Sequence, residues 1–257
     1  MTNPSAAGRA FVWLTEVAST NDWARQQAKE QPDILPGATW VVAERQTAGR
    51  GRFGNEWQSL KGNLSASLLF RPDRPAAQCA QLSFVASLAV ADTLVGYAPR
   101  ANIRLKWPND VLAEGRKIAG ILLESETGSD GRISWLVIGI GINLSTYPKG
   151  IDPPAISLAA LGIPPPAPFD RNGRGGGAVE HLDDAFTKWY EVWERDGFAA
   201  IREAWLARAQ GLGSRIRARL ANEEIRGVFR DIDDTGALVI GLSGGATRTI
   251  AAGEVYF

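Results

Sequence analysis

The sequence predicts an α+β fold, a mainly antiparallel mixed sheet with helices packed on one face, followed by a small C-terminal β-barrel. Three observations carry this. Between Ile103 and Leu144 short apolar runs alternate with turn chemistry, the pattern of a meander. Several longer segments are either apolar almost all round or apolar at helical spacing. From about Gly213 the texture changes to short strands in which arginines alternate with apolar residues, as half-exposed strands should. The expected domains are therefore 1–212 and 213–257.

Each element has its own justification. STNDWARQQAKE opens like a capped helix, with Ser19 at the cap and Asp22 three residues on, the spacing of a capping box. TWVVAERQ reads as a strand running into GRGRFG, and NLSASLLF as a second strand ended by RPDRP. AQLSFVASLAVADTLVGY is expected to be a buried helix. From IRLKWPND onward DVLA, KIAGILLESE and ISWLVIGIGINL are strands, with turns at EGR and GSDG. PKGIDPP and GIPPPAPFDRNGRGGG read as connecting loops, partly mobile, around a short SLAALG segment. Two amphipathic helices come next, one lined by Leu182, Phe186, Trp189 and Trp193, the other by Phe198, Ile201, Trp205 and Ala209. These tryptophans are read as core. The tail strands are RIRARL, EIRGVFRDI, ALVIGL and TRTIAAGEVYF, joined by turns such as ANE and DDTG, and suit a small barrel.

Composition excludes several functions. The chain of 257 residues carries 28 basic and 28 acidic side chains, so no global field recruits nucleic acid or an anionic membrane. Any anion must be held by a local cluster. Cys79 is the one cysteine, which leaves no disulfide framework and no thiolate cluster for zinc. The N-terminal stretch MTNPSAAGRAFVWLTEV has neither the basic run nor the apolar core of a signal peptide. No stretch approaches the ~20 apolar residues of a membrane span. A cytoplasmic protein without a membrane partner is expected. The single histidine, His181, reads as a solvated residue at a helix start, so hydrolase triads have nothing to stand on. Chemistry here would run on arginine, lysine, carboxylate and backbone groups.

GRGRFG, Gly49 to Gly54, fits the dinucleotide pattern G-x-G-x-x-G literally. Its context does not fit, because NEWQSLKGNLSASLLF follows where a helix should. A P-loop is excluded as well, since no G-K-[ST] closes the loop. Glycines still let backbone N–H groups converge on one anion, and Arg50 and Arg52 add two guanidiniums suited to carboxylate or phosphate. The expectation is an anion trap, mobile when free because the two arginines repel, and ordered once an anion sits between them. Other segments fit the same site. STN, Ser19 to Asn21, offers small hydrogen-bonding groups; KWPND sets Lys106 and Asp110 on either side of a Trp-Pro corner; KIAGIL supplies Lys117 and the small Gly120; GIGINL ends a strand with Asn143.

STN, AERQTAGRGRFGNEW, LKWPNDVL, KIAGILLE and GIGINL, in this order, resemble the biotin–protein ligase catalytic domain over roughly Val12 to Ala209. The tail is similar to that family's small SH3-like domain. The resemblance implies a class II synthetase-like fold and a two-step reaction. Biotin and MgATP give biotinyl-5′-adenylate and pyrophosphate, and a lysine of a biotin carboxyl carrier protein then takes the biotinyl group. It implies that Ser19, Thr20, Asn21 and Gln46 meet biotin. Gly49, Arg50, Gly51 and Arg52 would form the loop over the adenylate, and Lys117 would stand at the biotin carboxyl end. Trp57 would close the loop near adenine. Lys106, Asn109 and Asp110 would form the signature corner on the nucleotide, with an Mg²⁺ or salt-bridge role for Asp110. Asn143 would be a nucleotide contact, and Gly120 would leave room beside biotin. Catalysis would rest on Lys117, Arg50, Arg52 and Lys106, with no metal ligand assigned.

Two departures stand out. The family loop usually continues Gly-Arg-x-Trp, whereas this one reads Gly54, Asn55, Glu56, Trp57. The match also begins near the start of the chain, so a monofunctional ligase without a DNA-binding domain, and no DNA partner, is expected. Relatives can pair through the edge of the central sheet, which leaves a homodimer open. Lipoate–protein ligase, a non-catalytic biotin-binding module and a DNA-binding regulator are the competing readings.

Overall fold

The computed structural model describes residues 9–30, 38–129, 131–170, 176–220 and 222–257. Residues 171–175, part of the passage expected to be partly mobile, lie outside the described residues, as do Asp130 of GSDG and Ala221 of ANE.

The larger sheet has seven strands in the order β1-β2-β3-β7-β6-β5-β4. They are β1 (Ala10–Val17), β2 (Thr39–Gln46), β3 (Leu64–Phe70), β4 (Ile103–Lys106), β5 (Asp110–Ala113), β6 (Arg116–Thr127) and β7 (Ile133–Ile142). All neighbours pair antiparallel except β1 and β2. Strand β1 was not read from the sequence. Its parallel pairing with β2 needs a crossover, supplied by helix α1 (Thr20–Glu30). Tight turns make the meander. Between β5 and β6, Glu114 and Gly115 both have positive φ (50° and 73°), the requirement of a type I′ turn.

Side-chain alternation gives the sheet two unlike faces. Leu68, Phe70, Ile138, Ile140 and Ile142 point into the main core with α3 (Leu82–Tyr97), α4 (Ala178–Asp196) and α5 (Phe198–Leu206). Val41, Leu69, Trp135 and Val137 point the other way and are covered by Ala24 and Ala28 of α1. The single helical face expected from the sequence is corrected on this point. Helix α1 lies on the opposite side, where Ala24 and Ala28 are buried and Trp23 packs partly buried against the same apolar strip.

Helix α3 is buried over most of its length, as expected. Together with α2 (Ala76–Cys79) it makes Ala76–Tyr97 long and apolar enough to cross a bilayer, a length the sequence reading did not credit. Here it is the central core helix. Leu182, Phe186, Trp193, Phe198, Ile201 and Trp205 are buried. Trp189 is only half-buried and donates to Asp92 at 2.7 Å, while Ala209 lies beyond α5 beside Leu105. His181 is exposed in the first turn of α4, its Nδ1 2.5 Å from the Tyr97 hydroxyl.

The tail forms β8 (Arg215–Arg219), β9 (Glu224–Ile232), β10 (Leu238–Gly241), β11 (Thr247–Ile250) and β12 (Glu254–Tyr256). They make an antiparallel sheet in the order β11-β10-β9-β8-β12, with β11 and β12 as its two edges rather than paired to close a barrel. Ile216, Phe229 and Ile232 join the main core, and Trp107 donates its indole N–H to Gly236 at 3.0 Å. This docking brings β12 to the mouth of the site described next.

Candidate active site

The α1 face of the large sheet ends in a patch of small residues. Cross-strand register aligns Ser65 of β3, Gly141 of β7 and Gly120 of β6, and in the next row Ser67, Gly139 and Leu122. Apart from Leu122, which lines one side, these rows carry no large side chain and leave a hollow of about 410 Å³, within the ordinary range for a ligand pocket. Side chains from other elements settle directly on the glycines. A Cβ at Gly141 would stand 2.2 Å from the Trp57 ring. One at Gly120 would stand 3.1 Å from it.

One end of the hollow is neutral and already hydrogen-bonded. Ser19 caps α1, its Oγ accepting the Asp22 amide at 3.4 Å, so the cap half of the expected box forms. The Asp22 carboxylate turns away to Arg25 and Arg50 instead of completing it. Gln46 Oε1 accepts from the Thr20 amide at 2.8 Å and lies 3.0 Å from its hydroxyl. The Ser67 hydroxyl lies 2.7 Å from that of Thr20 and donates to Asn21 Oδ1 at 2.6 Å. Asn21 in turn donates to Glu124 at 2.8 Å. Ser19, Thr20 and Asn21 are all buried, so a group bound here meets fixed dipoles.

The glycine-arginine loop crosses above. It is a pinched hairpin, with the Gly51 amide bonded to Asn55 O at 2.7 Å and the Trp57 amide to Gly49 O at 2.9 Å. Phe53 and Gly54 turn it, with φ of 55° and 77°. The expected pair of mutually repelling arginines is corrected here. Arg50 is already neutralised by Asp22 (2.7 Å) and Glu124 (2.9 Å). Burial works against its charge, but these carboxylates win and raise its pKa. Arg52 lies apart, over the Phe53 ring at 4.7 Å and 3.5 Å from Asn109 Oδ1. Burial lowers its pKa, against Asp110 and Glu254.

The other end of the hollow carries the cations Lys106, Lys117 and Arg52, set among the carboxylates Asp110, Asp152 and Glu254. Hairpin register sets Lys106 opposite Asp110 across the buried Trp107 and the half-buried Pro108, whose peptide bond is cis. Asp110 pairs with Lys117 Nζ at 2.6 Å, the salt-bridge alternative the sequence left open. Lys117 also sits 5.7 Å from the Trp57 ring. Burial lowers the pKa of Lys106; Asp110 opposes this and Lys117 adds to it. Asn109 donates to Ile121 O at 2.6 Å, and the buried Asn143 accepts from Asn63 at 3.4 Å.

The hollow thus gathers Ser19, Thr20, Asn21, Gln46, Arg50, Gly51, Arg52, Trp57, Lys106, Asn109, Asp110, Lys117, Gly120 and Asn143. Gly49 is the exception. It lies under the loop, where a Cβ would meet Trp57 O at 2.4 Å, so it serves the hairpin rather than the lining. Several participants were missed. Gly139 lines the floor and Gly141 lies beneath the Trp57 ring, and the alternation of GIGI against SAS was the available signal. Pro148, Ile151 and Asp152 form a wall from a passage read only as linker, pinned to β6 by the Lys117 amide on Pro154 O at 2.8 Å. Glu254 and Tyr256 close the mouth from β12, with Lys106 Nζ 5.6 Å from the Tyr256 ring, and no local pattern could announce that docking.

Known proteins match this architecture throughout. The Biotin/lipoate A/B protein ligase family matches residues 15–143, and the Biotin protein ligase C terminal domain matches 211–257. The chain is 45% identical to a biotin–[acetyl-CoA-carboxylase] ligase of Paracoccus denitrificans, covering 87% of this chain and 92% of that protein. It is 34% identical to the bifunctional ligase/repressor BirA of Bacillus subtilis, covering 95% of this chain and 73% of that one. The solved biotin protein ligase of Aquifex aeolicus in complex with biotin and ATP superposes with a TM-score of 0.76 at 27% identity, over 96% of this chain and 97% of that one. With two family matches and a relative this similar over most of both lengths, the chain belongs to the biotin/lipoate A/B protein ligase family.

Proposed function

We propose that the chain is an ATP-dependent biotin–protein ligase. The biotin carboxylate oxygen attacks the α-phosphorus of ATP, the bond to the β-phosphate oxygen breaks, and pyrophosphate leaves. The amine of a carrier lysine then attacks the carbonyl carbon of biotinyl-5′-adenylate and AMP leaves. One observation carries the reading: a single hollow has a neutral, hydrogen-bonded end and a cationic end, as a molecule with a ureido head and an anionic tail requires.

At the neutral end Thr20, Gln46, Ser19 and Asn21 would pair the ureido N–H and C=O groups, which are costly to bury unpaired. At the cationic end Lys117, Lys106 and Arg52 would face the carboxylate and phosphates. Two anions repel there, and preformed cations stabilise the charge that grows between them without a titrating catalyst. Trp57 would stack near adenine, with Asn109, Asp110 and Asn143 on the nucleotide side. Among the described residues no cluster of three or more His, Cys, Asp or Glu could cage a metal ion. Mg²⁺ would come with ATP, held chiefly by phosphate oxygens whose charge it neutralises.

The carrier would be the biotin-accepting domain of a carboxylase, as the name of the Paracoccus relative supports. We place the protein in the cytoplasm, and its balanced charge speaks against a DNA partner. A homodimer would set β1, an edge strand of the large sheet, against a second copy, because the other edge strand, β4, already bonds Arg208 and Gln210 through Leu105. Biotin-dependent exchange of labelled pyrophosphate into ATP tests the reading. Exchange is expected with biotin and Mg²⁺ and not with lipoate; the reverse result overturns the substrate.

A further inference from the structure

The loop that covers the hollow is fastened by one residue to two other elements. Arg50 donates to Asp22 on α1 at 2.7 and 3.2 Å and to Glu124 on β6 at 2.9 and 3.0 Å. Glu124 has a second attachment, the 2.8 Å bond from Asn21. Asn21 is buried and held by Ser67, beside the Thr20–Gln46 pair. An unbroken run of hydrogen bonds therefore joins the neutral end of the hollow to the loop above it. Isolated surface pairs contribute little because ordering two side chains costs entropy. Here Asn21 already orders Glu124, and one guanidinium serves two carboxylates, so less freedom is lost per bond.

We propose that Glu124, assisted by Asp22, is a positioning residue that latches the Gly49–Trp57 loop shut through Arg50, and so sets how long the acyl-adenylate is retained. Arg50 then acts as the bolt of the loop rather than as a ligand of substrate phosphate, and Arg52 is the guanidinium left for the anion. Glu124 reports the state of the neutral end to the loop, since a ligand that shifts Asn21 also shifts the carboxylate that holds Arg50. The functional half of this inference rests on the proposed ligase reading. The latch itself does not.

Amide hydrogen exchange of Gly51 and Trp57 in the ligand-free protein tests the latch, because both amides are bonded within the loop. Glu124→Gln should speed their exchange ~10-fold, the loss of a charge-assisted bond, while core amides such as Val42 keep their rates. Acceleration throughout the protein would indicate a folding defect and overturn the latch, as would unchanged loop exchange. Arg50→Ala should give a similar effect, and the double variant should be no worse than Arg50→Ala alone. Additive effects would place Glu124 outside the latch. Release of preformed biotinyl-adenylate should also quicken ~10-fold in Glu124→Gln; unchanged release with faster loop exchange overturns the retention role. If the wild type makes no biotinyl-adenylate, the ligase reading fails, and the exchange rates still decide the latch.

Discussion

The two ends of the hollow are built on different principles. At the neutral end every polar group named above is bonded to protein, and Ser19, Thr20, Asn21 and Ser67 are buried. At the cationic end Lys117 has a side-chain exposure of 25% and Asp110 of 14%, and charges lean on one another across space. A saturated polar network rigidifies because breaking any member leaves a buried orphan. Charges beside water are looser, but they act on charge wherever it develops. The contrast teaches a division of labour. Shape and hydrogen bonds at one end should select the ligand, and cations at the other should set its rate.

The largest test falls on the cationic end. Lys117→Ala removes an ammonium from the place where negative charge accumulates, a loss of ~3 kcal/mol, or ~100-fold in single-turnover adenylation. Biotin affinity should change far less. Folding stability should fall only slightly, because Asp110 is left beside Lys106, whose charge it already supports. Melting temperature, biotin calorimetry and rapid-quench adenylation measure the three effects. An equal loss of affinity and rate would collapse the distinction between the ends.

The neutral end is probed by Gly139→Ala. The new Cβ would stand 2.3 Å from Asn21 Oδ1. Asn21 cannot yield cheaply, since Ser67 and Glu124 hold both ends of its amide. Overpacking of this kind costs ~1–3 kcal/mol, which predicts ~10-fold weaker biotin binding. Adenylation at saturating biotin should stay within a few-fold of wild type. A variant that binds normally but turns over slowly would reverse the assignment.

The same contrast explains how much the sequence disclosed. Charged and glycine-rich segments are conspicuous one by one, and GRGR, KWPND and KIAG pointed to one site before any geometry was known. The helices α3, α4 and α5 were legible from apolar spacing alone, because burial acts locally along a helix. The neutral floor was not read, since Ser65, Ser67, Gly139 and Gly141 look like ordinary strand residues until register places them side by side. Strand β1 escaped because its pairing partner lies beyond a helix. The pairing of Arg50 was hidden for a different reason. Asp22 and Glu124 are 102 residues apart in number, and only the fold brings both to one guanidinium. What the sequence conveyed was composition; what it withheld was non-local neighbourhood.

The smallest expected effect comes from adding charge where the loop reads Asn55 and Glu56. Asn55 is exposed on the hairpin, and its backbone alone makes the loop bonds, donating to Arg52 O and accepting from Gly51. Asn55→Arg therefore leaves the hairpin intact and places one more guanidinium near the cationic end. An exposed charge is screened by solvent, so its contribution is of the order of an ordinary surface pair, ~0.5 kcal/mol or ~2-fold in the KM for ATP. The neighbouring Glu56 takes up part of that gain, which keeps the estimate at the low end. The sign is an improvement, because ATP is an anion. It should fade as added salt shortens the screening length from ~10 Å at 0.1 M toward ~3 Å at 1 M. Biotin affinity should not move, since the neutral end works by hydrogen bonds rather than field. Steady-state KM for ATP at low and high salt, with biotin calorimetry alongside, reads all three. A gain that survives high salt would mean a direct contact with the nucleotide, and a change in biotin affinity would mean the two ends are coupled through the loop.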